Sequence, residues 1–198
     1  MFKIHNINKS QPYRVFLELF ESAINKNQTA IDAIAISSLD KNNLEVESRF
    51  VNLKYIIDED WIFFSNYNSP KSQNFKSHKQ ISVLMYWDKI DTQIRIKANI
   101  RKTSKKFSDE HFSNRSKKKN SLAISSDQSN IIKSYEDVIK KYKKIFENSD
   151  ILERPSYWGG YAFKPYYFEF WEGHESRINR RRVFKFINDN WINYILEP

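Results

Sequence analysis

Cysteine is absent from this 198-residue chain, and glycine occurs only as Gly159, Gly160 and Gly173. Without thiols there is no disulfide, thiolate metal site or cysteine nucleophile. With so few glycines, all late in the chain, neither a G-x-G-x-x-G dinucleotide loop nor a P-loop can be built. Any phosphate must therefore be held by side chains and ordinary backbone. Long apolar runs are also missing: nothing approaches the ~20 residues of a spanning helix, and Met1-Phe2-Lys3-Ile4-His5-Asn6 lacks the continuous apolar stretch of a signal peptide. The expectation is a soluble cytoplasmic protein with no membrane partner. The histidines His5, His78, His111 and His174 are scattered, which argues against a metal site or a Ser-His-Asp triad.

What is present is positive charge and aromatic surface. The formal charge is +9, and Phe, Tyr and Trp make up 16% of the residues. Clustered Lys and Arg would suggest a phosphate backbone as partner. Here the lysines run the whole length of the chain, so composition does not single out a nucleic-acid surface. The length suits one domain with a substantial core.

Pattern gives the coarse organisation. Ser10-Gln11-Pro12 opens a helix carrying Phe16, Leu19, Phe20, Ala23 and Ile24 at helical spacing and ending near Lys26-Asn27. Strands are expected over 30–39, 44–57, 61–66, 81–87, 161–171, 183–187 and 191–196. Another over 92–102 alternates Ile94, Ile96 and Ala98 with Gln93, Arg95 and Lys97. Helical segments are expected over 69–78, 104–114 and 134–146, with a polar loop between the last two. Short strands joined by tight turns, with few helices, predict a mainly β, α+β fold built on an antiparallel barrel.

The chemistry concentrates near the C-terminus. Phe168-Glu169-Phe170-Trp171-Glu172 is followed, after a short polar turn, by Arg177-Ile178-Asn179-Arg180-Arg181. An aromatic strand returning as an arginine cluster suits a planar, anionic ligand. Upstream stand Arg49-Phe50-Val51-Asn52-Leu53-Lys54, Phe63-Phe64-Ser65-Asn66 with Ser69-Pro70-Lys71, and Asp91-Thr92-Gln93-Ile94-Arg95. His111-Phe112-Ser113-Asn114-Arg115, Ser126-Asp127-Gln128-Ser129 and Pro155-Ser156-Tyr157-Trp158-Gly159-Gly160-Tyr161 follow. In this order and approximate spacing the set resembles the pyridoxine (pyridoxamine) 5'-phosphate oxidase family, whose patterns read R-x-V-L-L-K, F-[FY]-T-N, S-R-K, Y-F-x-S-R, S-x-Q-S, P-x-x-W-G-G-[YF] and E-F-W with R-L-H-D-R.

That resemblance implies an FMN-binding split barrel, homodimeric, with 1–198 as one domain: an N-terminal helix region over 1–27 and C-terminal strands over 161–198 carrying the Trp/Arg signature. It implies hydride transfer from a planar anionic substrate to FMN, with O2 as acceptor. FMN contacts fall by resemblance on Arg49, Phe50, Val51, Asn52, Leu53, Lys54, Phe64, Ser65, Lys71, Gln93, Trp171 and Arg181, with Gln128 and Ser129 reaching it from the partner subunit. Lys54, His111, Arg115 and Lys119 fall at the substrate's anionic end; Arg177 and Asn179 fall at its ring and are the catalytic pair. The P-x-x-W-G-G-Y motif reads as structural.

Departures fall on the pocket. Pro70 stands for an Arg, His111 for a Tyr, Lys119 for a Ser, Asn179 for a His and Arg180 for an acid, and the family's basic-aromatic arm before the first helix has no counterpart. Two enzyme readings stay open: a divergent vitamin B6 phosphate oxidase, or an oxidase of another planar anion of the phenazine-biosynthesis kind. A flavin-binding module without turnover is a third reading and a nucleic-acid-binding barrel a fourth.

Overall fold

The structure, a computed structural model, describes residues 1–148, 151 and 153–198. Along the chain run β1 (Lys3–His5), α1 (Gln11–Asn25), β2 (Ala33–Asp40), β3 (Glu45–Asn52), β4 (Tyr55–Ile57), β5 (Asp60–Asn66), α2 (Pro70–Ser77) and β6 (Gln80–Trp87). Then come β7 (Thr92–Lys102), α3 (Lys105–Ser113), α4 (Lys117–Ser125), α5 (Tyr135–Asn148), β8 (Trp158–Glu172), β9 (Arg180–Ile187) and β10 (Asn190–Leu196). The fold is mixed α+β and dominated by one sheet, ordered β1-β4-β5-β8-β7-β6-β2-β3, with β9 and β10 branching from β8. Its pairs are antiparallel except β1 with β4.

The expected barrel is not closed by hydrogen bonds, since the ladder stops at β1 and at β3. The chain itself brings the ends round. β3 leaves its pairing with β2 after Asn52, turns through Leu53 and Lys54, and pairs with β5 as β4. The Leu53 N–H donates to Asp32 O and the Lys54 N–H to Ile62 O, both at 2.8 Å. The single strand expected over 44–57 is therefore two, because a strand that changes partners must bend at the corner.

β8 is the hub, bonded to β5, β7 and β9. Pro165 sits inside it, where a ladder N–H would be needed, and the register against β7 shifts there, between Lys97 and Ala98. A bulge is where a central strand tolerates proline. The glycines at the start of β8 bear out the structural reading of their motif: a Cβ on Gly159 would run into the Tyr67 phenol, and one on Gly160 into Thr103.

Inside the curl, β7 buries Ile94, Ile96, Ala98 and Ile100 as its alternation predicts. α1 covers one end with Tyr13, Phe16 and Phe20. Phe16 meets Trp61 at 4.6 Å between centroids, and Tyr13 meets Phe168 edge-on at 5.2 Å. Such contacts add to the burial that dominates stability. α4 falls in the stretch expected as a polar loop. Its hold is polar: buried Asn120 donates to Phe112 O and Ile151 O and accepts from Arg115 Nη1, which apolar periodicity cannot reveal. Among the described residues no helix is long and apolar enough to cross a membrane.

Candidate functional site

A cavity of about 730 Å³ opens between the β3/β4 corner, the end of β5, α2 and the α3–α4 region. Among the described residues five cations line it, Lys3, Lys54, Lys71, Arg115 and Lys119, and no Asp or Glu does. A concave site so biased in charge is fitted to an anion. The cations form two groups.

The first group centres on Lys71, in the first turn of α2. It is 8% exposed, and its Nζ donates to Ser69 Oγ at 3.1 Å and Gln128 Oε1 at 3.3 Å. Gln128 also accepts from Ser65 Oγ at 3.4 Å. Burial, with Arg49 adding to it, pushes the Lys71 ammonium down to about 8 against the opposing pull of Glu47. No ion pair satisfies this ammonium among the described residues, so an anion beside it would recover the charge stabilisation that burial removes. That donor set fits a phosphate.

The second group surrounds His111. Its ring lies flat on Phe64, 3.6 Å between centroids at 10°, and Phe64 stacks on Trp158 at 5.3 Å. Arg115 sits over Trp158 at 4.3 Å and is pushed down to about 10 by burial. Lys54, at the corner, reaches Asp32 at 3.3 Å. Burial first, then Arg115, Lys54, Lys119 and Lys3, holds the His111 imidazole down at about 4.

A pH dependence follows. Between about 6.5 and about 4 the unfolded chain takes up a proton on His111 that the folded chain refuses. Stability is therefore expected to fall as pH drops through that window. His111→Gln should flatten this part of the curve, read as urea midpoints at neutral pH and at about pH 5. An unchanged pH dependence in the variant would remove His111 as its source.

Of the residues singled out by sequence, Phe50, Val51, Asn52, Lys54, Phe64, Ser65, Lys71, His111, Arg115, Lys119 and Gln128 line this cavity. Others do not. Leu53 is wholly buried in the core, so only its backbone could face a ligand. Arg49 is turned toward Ser38 Oγ and Glu47, each at 2.7 Å. Gln128, expected to reach across to a partner's site, bonds Ser65 and Lys71 of its own chain, while Ser129 is exposed and outside the lining.

Gln93, Trp171, Arg177, Asn179 and Arg181 lie elsewhere. Gln93 is in register with Trp171, and Trp171 with Arg181, so the three side chains stand in one row on the outer face of β7, β8 and β9. Beneath the arginines lies Glu169, 1% exposed. It accepts from Arg95 Nη1, Arg181 Nε and Tyr167 OH, and although burial opposes its charge, these bonds hold its carboxyl below the usual range. No motif gave Glu169 a role; its signal in the sequence is an acid between the apolar Phe168 and Phe170. Arg177 stands exposed at a turn tip with φ of 62°, and Asn179 Oδ1 accepts the His174 N–H at 3.1 Å.

The fold is shared with solved structures of other proteins. It matches PhzG from Burkholderia lata, solved with tetrahydrophenazine-1-carboxylic acid, at a TM-score of 0.90 and 22% identity over 96% of this chain and 93% of that one. A Nostoc punctiforme protein described as pyridoxamine 5'-phosphate oxidase-related and FMN binding matches at 0.78 and 10% identity, over 96% and 99%. In sequence, residues 158–198 match the family profile described as the pyridoxine 5'-phosphate oxidase C-terminal dimerisation region. The pyridoxine/pyridoxamine 5'-phosphate oxidase of Trichormus variabilis is 32% identical over 96% of this chain and 89% of that protein, and that of Leptospira biflexa 30% over 94% and 89%. The chain belongs to the pyridoxine/pyridoxamine 5'-phosphate oxidase family.

Proposed function

We propose that this chain is a single-domain FMN-dependent oxidase of the cytoplasm, acting as a homodimer on a planar anionic substrate. The observation that carries this is the cavity itself, with two groups of cations, an aromatic wall and, among the described residues, no carboxylate. Lys71, Ser65 and Gln128 would hold the FMN phosphate. Phe50, Val51, Asn52 and the backbone of Leu53 would run along the flavin.

Lys54, His111, Arg115 and Lys119 would hold the anionic end of the substrate. Arg49 would steady the phosphate end through its charge beside Lys71. Because the Gln93, Trp171 and Arg181 row lies outside the cavity, it would complete the flavin site of a second copy, with Arg177 and Asn179 covering the substrate ring and Ser129 near the joint. When bound, FMN supplies a hydride acceptor and passes the electrons to O2, giving hydrogen peroxide. The protein's share is to hold the ring and the anion so that the reacting carbon lies in near-contact with that acceptor, and to exclude water from it.

A second reading, oxidation of another planar anion of the phenazine kind, is favoured by one observation: position 179 is an Asn whose Oδ1 accepts from the His174 N–H of its own turn, so it brings no ionisable donor to the ring end. The test is the visible spectrum of the purified protein, then its bleaching without oxygen as pyridoxine 5'-phosphate, pyridoxamine 5'-phosphate or a reduced phenazine carboxylate is added. Bleaching by a B6 phosphate supports the first reading, bleaching by the carboxylate alone the second. A colourless protein that does not take up FMN defeats both.

A further inference from the structure

Tyr55, the first residue of β4, carries no role in anything above, yet its hydroxyl lies 2.9 Å from His111 Nδ1. The two residues are brought together by the β3/β4 corner and by α3, elements 56 positions apart in sequence. Both line the cavity. The imidazole cannot swing away, because it is stacked on Phe64 and bounded edge-on by Tyr55 itself. Its other nitrogen, Nε2, has no protein partner among the described residues.

A neutral imidazole bears one proton, and the partner of one nitrogen decides where that proton sits. Burial raises the Tyr55 phenol above its ordinary value, which keeps it protonated and able to donate. If it donates to Nδ1, the imidazole proton is on Nε2. The opposite arrangement would turn a bare Nε2 lone pair toward an incoming anion and repel it. A second proton is opposed by burial and by Arg115, Lys54, Lys119 and Lys3, the charged groups facing the ring from the α3–α4 link, the corner, α4 and β1.

We propose that Tyr55 is a positioning residue: its hydroxyl donates to His111 Nδ1 and fixes the Nε2–H tautomer, so that the anionic end of the cavity offers the substrate a neutral hydrogen-bond donor among its cations. The proposal rests on the anion-site reading above. It makes recognition by His111 a matter of tautomer, while burial and the neighbouring cations keep the imidazole neutral across the range where a free histidine switches charge, near pH 6.5.

The experiment uses 15N-histidine-labelled whole protein with its flavin and inorganic phosphate as the probe. In the wild type the His111 nitrogens should show a bare, hydrogen-bonded Nδ1 and a protonated Nε2 at neutral pH, with Nε2 shifting as phosphate is added. Tyr55→Phe keeps the ring that packs edge-on against Phe64 and Phe107. It should give a mixture of tautomers, weaken phosphate binding about tenfold, and raise KM for the anionic substrate with kcat little changed. In a His111→Gln background, loss of the Tyr55 hydroxyl should add little, since the two act as one unit. A protonated Nδ1 in the wild type, or additive effects of the two substitutions, overturns the role of Tyr55 while leaving the anion site standing. Phosphate that leaves wild-type His111 unmoved overturns the anion-site reading and this proposal with it.

Discussion

Leu84→Asp is expected to leave the proposed homodimer as a monomer and to empty the proposed flavin site in the same step. Leu84 is 40% exposed on the outer face of β6, so the change should leave the monomer folded. The register places it in a row that runs from Phe50 through Ala35 and Leu84 to Arg95, Glu169, Val183 and Tyr194. Phe50, 76% exposed, ends that row on the other side. Apolar side chains left in the open along a sheet face that also carries Gln93, Trp171 and Arg181 are what a second copy would cover. Its cross-strand neighbour Arg95 is already bonded to Glu169, so a carboxylate buried there without a full partner costs roughly 3 kcal/mol, a loss of about 100-fold in association. Sedimentation and the flavin absorbance of the same sample measure both effects. A dimer that keeps its flavin would mean that another face pairs the subunits, and a monomer that keeps it would mean that the site is complete in one chain.

Arg177→Gly should separate stability from turnover in opposite directions. Arg177 adopts φ of 62°, where a side chain is strained and glycine is not. The glycine variant should gain about 0.5 kcal/mol, a rise of roughly 1–2 °C in Tm. Its FMN content should be unchanged, while kcat/KM should fall on the order of 100-fold, because the guanidinium proposed to cover the substrate ring is lost. Equal loss of flavin and activity would place Arg177 on the cofactor, and unaltered turnover would remove it from the site. A strained arginine at a turn tip fits strain retained for function.

Much of the molecule was legible from residue order. The alternation of Ile94, Ile96 and Ala98 against Gln93, Arg95 and Lys97 gave β7 its two faces, and the apolar stripe of Phe16, Phe20 and Ala23 gave α1 its buried side. These patterns are local: period two and period 3.6 are written in consecutive residues. The family motifs likewise named most of the cavity's lining before any geometry was known. Other features depend on partners far along the chain. The break at Leu53 and Lys54 exists because β3 and β4 bond different neighbours, and α4 exists because Asn120 reaches Phe112 O and Ile151 O.

What the sequence by itself determined is the fold class, the family, and the kinds of side chain available to grip an anion: lysines, arginines and aromatics, with no thiol and no glycine loop. Tertiary structure alone decided how they are grouped. It set His111 on Phe64 with Tyr55 at its Nδ1, buried Lys71 with no ion pair among the described residues, placed Glu169 beneath two arginines, and put the Trp171 row on the outer face, away from the cavity. The reason is physical: side-chain type is fixed by one position, while burial, charge neighbours and hydrogen-bond partners are set by which distant strands the chain folds beside it.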